Sequence, residues 1–156
     1  MSAVETRLRD LGITLPSPAA PVANYVPYRR SGNLLIVSGQ LCIGPDGTIA
    51  DRHKGKLGGS VSIEQGREAA GFCVVNLLAQ AKAALGDCDH ITACLRLGGF
   101  IASTPDFTQQ AQVMNGASDL MVAALGEAGR HARSTIGVPV LPLDVAVEVE
   151  AIFEVR

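Results

Sequence analysis

Hydrophobic and polar positions recur with two different periods along this chain, and the switches between them mark its elements. Near the end, Val145, Val147 and Val149 alternate with Asp144, Ala146, Glu148 and Glu150. A period of two is that of a strand with one buried face, which places the carboxylates together on the other. Upstream, Ile63, Ala70, Cys73, Leu77, Ala81 and Leu85 fall at helical spacing. Ser62 precedes that run with Gln65 three residues on, the pairing of a capping box, and Gly86 is placed to end the helix.

A second helix is expected to open at Thr104-Pro105-Asp106, with proline in the first turn and an acid at the positive end of the dipole. Its buried stripe would be Phe107, Ala111, Met114, Met121 and Leu125, and Gly126 or Gly129 would end it. Strands are expected over residues 26–30, 33–43 and 91–101, with a break at Ser31-Gly32 and a short extra strand at Ile49. Pro45-Asp46-Gly47 reads as a turn and residues 55–60 as a loop.

Residues 2–11 have the pattern of a short amphipathic helix, and Pro16, Pro18 and Pro21 predict an extended segment after it. The order β-β-(β)-α-β-α-β-β predicts a two-layer α+β fold with helices on one face of a sheet. The expected division is a lead, residues 1–24, and one domain, residues 25–156.

Composition narrows the function classes. The chain has 156 residues, of which 47% are hydrophobic and only 4% aromatic, with no tryptophan, so disorder and a base-stacking platform are both disfavoured. A formal net charge of -2 and the lack of a long Lys/Arg run argue against nucleic acid as a partner. The one basic cluster, Arg52-His53-Lys54-Gly55-Lys56, reads as a solvated loop. No segment has the ~20 apolar residues of a membrane span, and the first eleven residues lack the apolar core of a signal peptide, so a cytoplasmic protein is expected. Cys42, Cys73, Cys88 and Cys94 form no C-x-x-C pair and are expected to be reduced thiols. Cys88, His90 and Cys94 lack a fourth ligand for zinc, so no metal site is expected.

Taken as chemistry, Arg133 offers a planar fork for a carboxylate, the alternative being an ion pair with Glu148 or Glu150. Glu148 is either a solvated charge or, if buried, a proton carrier near neutrality. Tyr25 has a hydroxyl to donate or to bury, and Gly39 after Ser38 marks a close approach on a strand. His131 would be a proton carrier beside Arg133 or a cap on the preceding helix end.

Arg133-Ser134, Val138, Leu141-Pro142 and Val145 through Ala151 together resemble the signature of the reactive intermediate deaminase (RidA, formerly YjgF) family. Asn24-Tyr25-Val26, Leu35 through Gln40 ending in Ser38-Gly39-Gln40, and Pro105-Asp106-Phe107 followed by Asn115 match further family segments in order. The resemblance runs from about Tyr25 to Glu154. It implies a chorismate-mutase-like fold, a homotrimer with clefts between subunits, and cofactor-independent hydrolysis of small 2-imino acids to 2-keto acids and ammonia. It also implies roles: Arg133 for the substrate carboxylate, Glu148 for a water, Tyr25 as a hydroxyl donor, and Ser38, Gly39, Asn115 and Thr135 as substrate-binding residues of the cleft, simple exposure on the helix surface being the alternative for Asn115. Thr135 stands where many members carry cysteine, and with the longer segment around residues 109–118 it points to a divergent subgroup. A carboxylate-binding regulator without turnover and an endoribonuclease are the alternative functions.

Overall fold

A computed structural model describes residues 2–18 and 23–156; Pro21 lies outside them. Helix α1 (Ala3–Asp10) is capped by Ser2, which accepts from the Glu5 backbone while the Glu5 carboxylate reaches back. Its Val4 and Leu8 are buried in the same core as the sheet and the other helices. Strands β1 (Tyr28–Ser31) and β2 (Leu34–Leu41) form an antiparallel hairpin. Helix α2 (Ile63–Leu85) has the expected Ser62/Gln65 capping box, and Gly86 at φ 79° ends it. Then follow β3 (Ile91–Ala102), α3 (Gln110–Leu125), β4 (Ala132–Val138) and β5 (Val147–Val155).

The sheet order is β1-β2-β5-β3-β4. Among the described strands only β3 and β4 are parallel, joined across α3, because a parallel neighbour needs a long crossover that antiparallel neighbours do not. The result is a mixed five-stranded sheet in an α+β fold, as expected. Along β5 the alternation holds: Val147, Val149, Ala151, Phe153 and Val155 are buried beneath the helices, while Glu148, Glu150, Ile152 and Glu154 line the face the helices leave open.

Several expectations need correction. Ile49 belongs to no strand. The second helix starts at Gln110, because Thr104 to Phe107 closes a turn, the Phe107 N–H donating to the Thr104 carbonyl at 3.1 Å. Proline suits the second position of such a turn as well as the first helical position. Phe107 therefore packs from the turn, and Ala111 is exposed; Val113, Met114, Ala117, Met121, Ala124 and Leu125 form the stripe.

Asp144 is not in β5 but in a tight turn, Pro142–Asp144, where it and Leu143 have φ of 59° and 56°. The basic cluster is not wholly solvated either. His53 is buried, its Nε2 2.8 Å from Glu68 Oε2, while Arg52 grips the same carboxylate with two bonds of 2.8 Å. All four cysteines are free and buried.

Candidate functional site

The register of β2 on β5 slips between Val37 and Gln40: Val37 faces Ala151 and Gln40 faces Val149. Ser38 and Gly39 thus stand opposite the single residue Glu150, a β-bulge that bends the strand and re-aims its side chains. Ser38 is pinned there, its N–H donating to the Pro27 carbonyl and its hydroxyl to that of Val26, both at 2.9 Å. The Ser38 proton is therefore committed to the segment carrying Tyr25 rather than directed at a ligand. Tyr25 itself is 54% exposed, with its N–H on the Ala23 carbonyl.

Gly39 has a steric reason. A methyl group on its Cα would collide with the Glu148 carboxylate, which lies over the bare backbone. Glu150 lies in the same way over Gly98, its neighbour on β3, where an added Cβ would come within 2.6 Å of Oε1. Arg96 donates to Glu150 at 3.2 Å. Glu148 has no hydrogen bond or ion pair among the described residues. Burial pushes its protonation range upward, and the nearby Glu150 charge pushes it the same way. A half-buried carboxylate whose range is moved toward neutrality is suited to taking and returning a proton.

Arg133 stands elsewhere. It is in register with the buried Leu97 on parallel β3, so it faces the helix layer. Its Nη1 donates to Ser118 Oγ at 3.0 Å and its Nη2 to the Ala111 carbonyl at 3.2 Å, both on α3. Neither Glu148 nor Glu150 pairs with it, which removes the ion-pair alternative; among the described residues its partners are neutral oxygens.

Thr135 points to the same layer, its hydroxyl buried and without a hydrogen-bond partner among the described residues. Asn115 lies four residues after Ala111 and three before Ser118, on the helix face that meets Arg133, and is half-buried.

The candidate residues therefore form two groups. Ser38, Gly39 and Glu148 belong to the open face, Tyr25 lies on the segment to which Ser38 is bonded, and Arg133, Thr135 and Asn115 belong to the seam between β4 and α3. The sequence reading missed Ser118 and Arg96. The spacing of residues 111, 115 and 118 singles out Ser118 only once β4 is known to lie beside α3. His131 bonds to the Gly129 carbonyl, at the end of the preceding helical segment, through Nδ1 and to Ser118 through Nε2. Among the described residues no cluster of His, Cys, Asp and Glu could hold a metal, and no helix is long and apolar enough to cross a membrane.

Comparison with known proteins agrees with this architecture. Protein TCP17 of Trypanosoma cruzi is 45% identical over 154 residues, covering 98% of this chain and 94% of TCP17. The crystal structure of Atu1372 from Agrobacterium tumefaciens, a protein of unknown function, superposes with a TM-score of 0.91 at 48% identity, covering 98% of this chain and 92% of the other. The crystal structure of E. coli TdcF with bound serine superposes with a TM-score of 0.63 at 25% identity, covering 92% and 96%. Residues 5–155 match the family model described as "YjgF/chorismate mutase-like, putative endoribonuclease". With nearly the whole chain matched, and the mixed sheet and its helix layer in place, this protein belongs to the YjgF/chorismate mutase-like family.

Proposed function

We propose that this chain is a cofactor-independent imine/enamine deaminase acting on small 2-imino acids. The observation that carries the reading is Glu148: a half-buried carboxylate with a raised protonation range, unpaired, lying over the bare backbone of Gly39. Arg133 supplies the other requirement, a guanidinium bonded among the described residues only to neutral oxygens, whose charge is left to meet a carboxylate. Serine bound to TdcF supports a small amino-acid-like ligand.

In this reading Arg133 holds the substrate carboxylate and Glu148 accepts a proton from water as the water oxygen bonds to the imine carbon. The proton passes to nitrogen, giving a carbinolamine; its hydroxyl proton is then carried by Glu148 to the same nitrogen as the C=O bond forms and the C–N bond breaks, and a keto acid and ammonia leave. Since Arg133 and Glu148 face different sides of one sheet, the complete site joins the Arg133 seam of one copy to the Glu148 face of the next. Such a head-to-tail contact closes into a ring, in our reading a trimer. Ile36, Ile136 and Ile152 on the open face support this, the first two being 45% and 51% exposed. Exposed apolar side chains on a sheet face are typical of association surfaces.

The decisive assay generates 2-iminopropanoate or 2-aminoacrylate in situ and compares keto-acid release with and without the protein. Acceleration that is lost in Glu148→Gln supports the deaminase. Binding of pyruvate with no acceleration of any imino acid overturns it in favour of a carboxylate-binding regulator. Endoribonuclease activity finds little support in a chain of net charge -2, since RNA binding draws on clustered cations.

A further inference from the structure

Arg133 ends a hydrogen-bond chain that runs from β4 through α3 to the segment preceding β4. Its Nη1 lies 3.0 Å from Ser118 Oγ on α3, Ser118 Oγ lies 2.9 Å from His131 Nε2, and His131 Nδ1 lies 2.6 Å from the carbonyl of Gly129. The two ends fix the direction of every proton between them. A guanidinium only donates and a carbonyl only accepts, while a neutral imidazole donates from one nitrogen and accepts at the other. The Gly129 carbonyl therefore requires the proton on Nδ1. Nε2 is left to accept the Ser118 hydroxyl proton, and the Ser118 lone pair is left for Arg133.

The far end is held by packing: Gly129 is buried against the α3 backbone at Met121 and Val122, so closely that a methyl group there would strike it. The Ala111 carbonyl takes a second guanidinium nitrogen at 3.2 Å, so the fork is fixed at two points.

We infer that Ser118 and His131 are positioning residues that set the plane of the Arg133 guanidinium, and with it the angle at which Arg133 meets a ligand carboxylate. The inference rests on the reading of Arg133 as the carboxylate binder. Bidentate pairing is planar and tolerates little rotation of the fork, so orientation separates a grip from a loose charge contact. Neither residue touches the reacting atoms; both act through Arg133.

Two spectroscopic measurements test the relay without any substrate. Long-range 1H–15N correlation at alkaline pH, where imidazoles are neutral, should show His131 as the Nδ1–H tautomer. Side-chain 15N relaxation should show a restricted Arg133 guanidinium that becomes mobile in Ser118→Ala. An Nε2–H tautomer, or an Arg133 equally mobile in wild type and Ser118→Ala, overturns the inference.

Calorimetry with pyruvate then tests the consequence. Ser118→Ala and His131→Leu should each weaken binding by about tenfold, the scale of one hydrogen bond to a charged group. The double variant should be no worse than either single one, because both cut the same chain. Ser118→Thr, which keeps the hydroxyl, and His131→Gln, which keeps an acceptor for it, should restore most of the affinity. Folded Ser118→Ala that binds like wild type overturns the proposal. Wild type that binds no pyruvate defeats the carboxylate reading instead, and the two spectroscopic results still decide the relay.

Discussion

Arg133 and Glu148 project from opposite faces of one sheet, the first bonded to α3 through Ser118 Oγ at 3.0 Å, the second lying over Gly39 on the face the helices leave open. If a site needs both, it takes them from two copies, and inactive variants should rescue each other. Arg133→Ala and Glu148→Gln, each nearly inactive alone, are expected to regain activity when mixed, unfolded and refolded together. Random assortment restores up to about one site in four. Lack of any recovery in confirmed mixed oligomers would place both residues in a site within one chain.

Glu148→Gln should slow turnover by roughly 100-fold or more while leaving pyruvate affinity nearly unchanged. Arg133→Lys should weaken both, because a point charge lacks the planar fork. Calorimetry beside an imino-acid hydrolysis assay separates the two effects; wild-type turnover in Glu148→Gln would refute the assigned role.

The same carboxylate predicts a pH signature in stability. Its folded protonation range is raised above the ordinary 4.5, so between 4.5 and that raised value the folded state holds a proton the unfolded state has lost. Stability contributed by this group is present below 4.5 and declines as pH rises through the folded range. Glu148→Gln removes the decline, so its melting temperature should exceed that of wild type above this window and converge with it below. Parallel curves throughout would show that burial does not perturb Glu148.

Gly39→Ala should act through Glu148 rather than through the fold, since the new methyl group displaces that carboxylate. A loss of turnover approaching that of Glu148→Gln is expected, with no further loss when the two are combined. Additive losses would mean that Gly39 serves a separate purpose.

Glu68 has the opposite pH signature. Two bonds from Arg52 are the main influence holding its carboxyl down, with His53 adding to it against the opposing effect of burial, and the range falls to about 2. Its contribution is full above the ordinary 4.5 and is lost as pH falls toward 2. Glu68→Gln should melt earlier than wild type at neutral pH and lose less on acidification over that interval, measured by circular dichroism.

Thiol reagents should modify the native protein only slowly. Burial pushes Cys42 up to about 11 and Cys88 and Cys94 up to about 12, and raises Cys73 well above its ordinary value. Since the thiolate is the reactive form, slow modification before denaturation and four equivalents after it are expected. Rapid modification of one thiol in the folded state would contradict this.

Those elements whose cues are local were readable from the chain. Ser62 with Gln65, Gly86 after Leu85, and the valine alternation of β5 each carry their instruction within a few residues. The rest depends on partners distant in sequence. His53 is buried because Glu68, fifteen residues away, receives it. The bulge at Ser38-Gly39 exists only in the register against β5, and Pro105 serves a turn or a helix start equally well until the Phe107 N–H finds the Thr104 carbonyl. Arg133 and Glu148 were singled out as residue types in a family-like run, but the face each occupies follows from the parallel pairing of β4 with β3, which no short window of sequence encodes.

The proposed division of the site across the sheet has a kinetic consequence. A lone chain would carry two incomplete halves, so the catalytic species would be the contact between copies, and activity per chain would fall with dilution below the assembly threshold. After rapid dilution the rate would not drop at once. It would decay as contacts come apart, giving the ensemble a memory of its former concentration that lasts as long as its slowest dissociation.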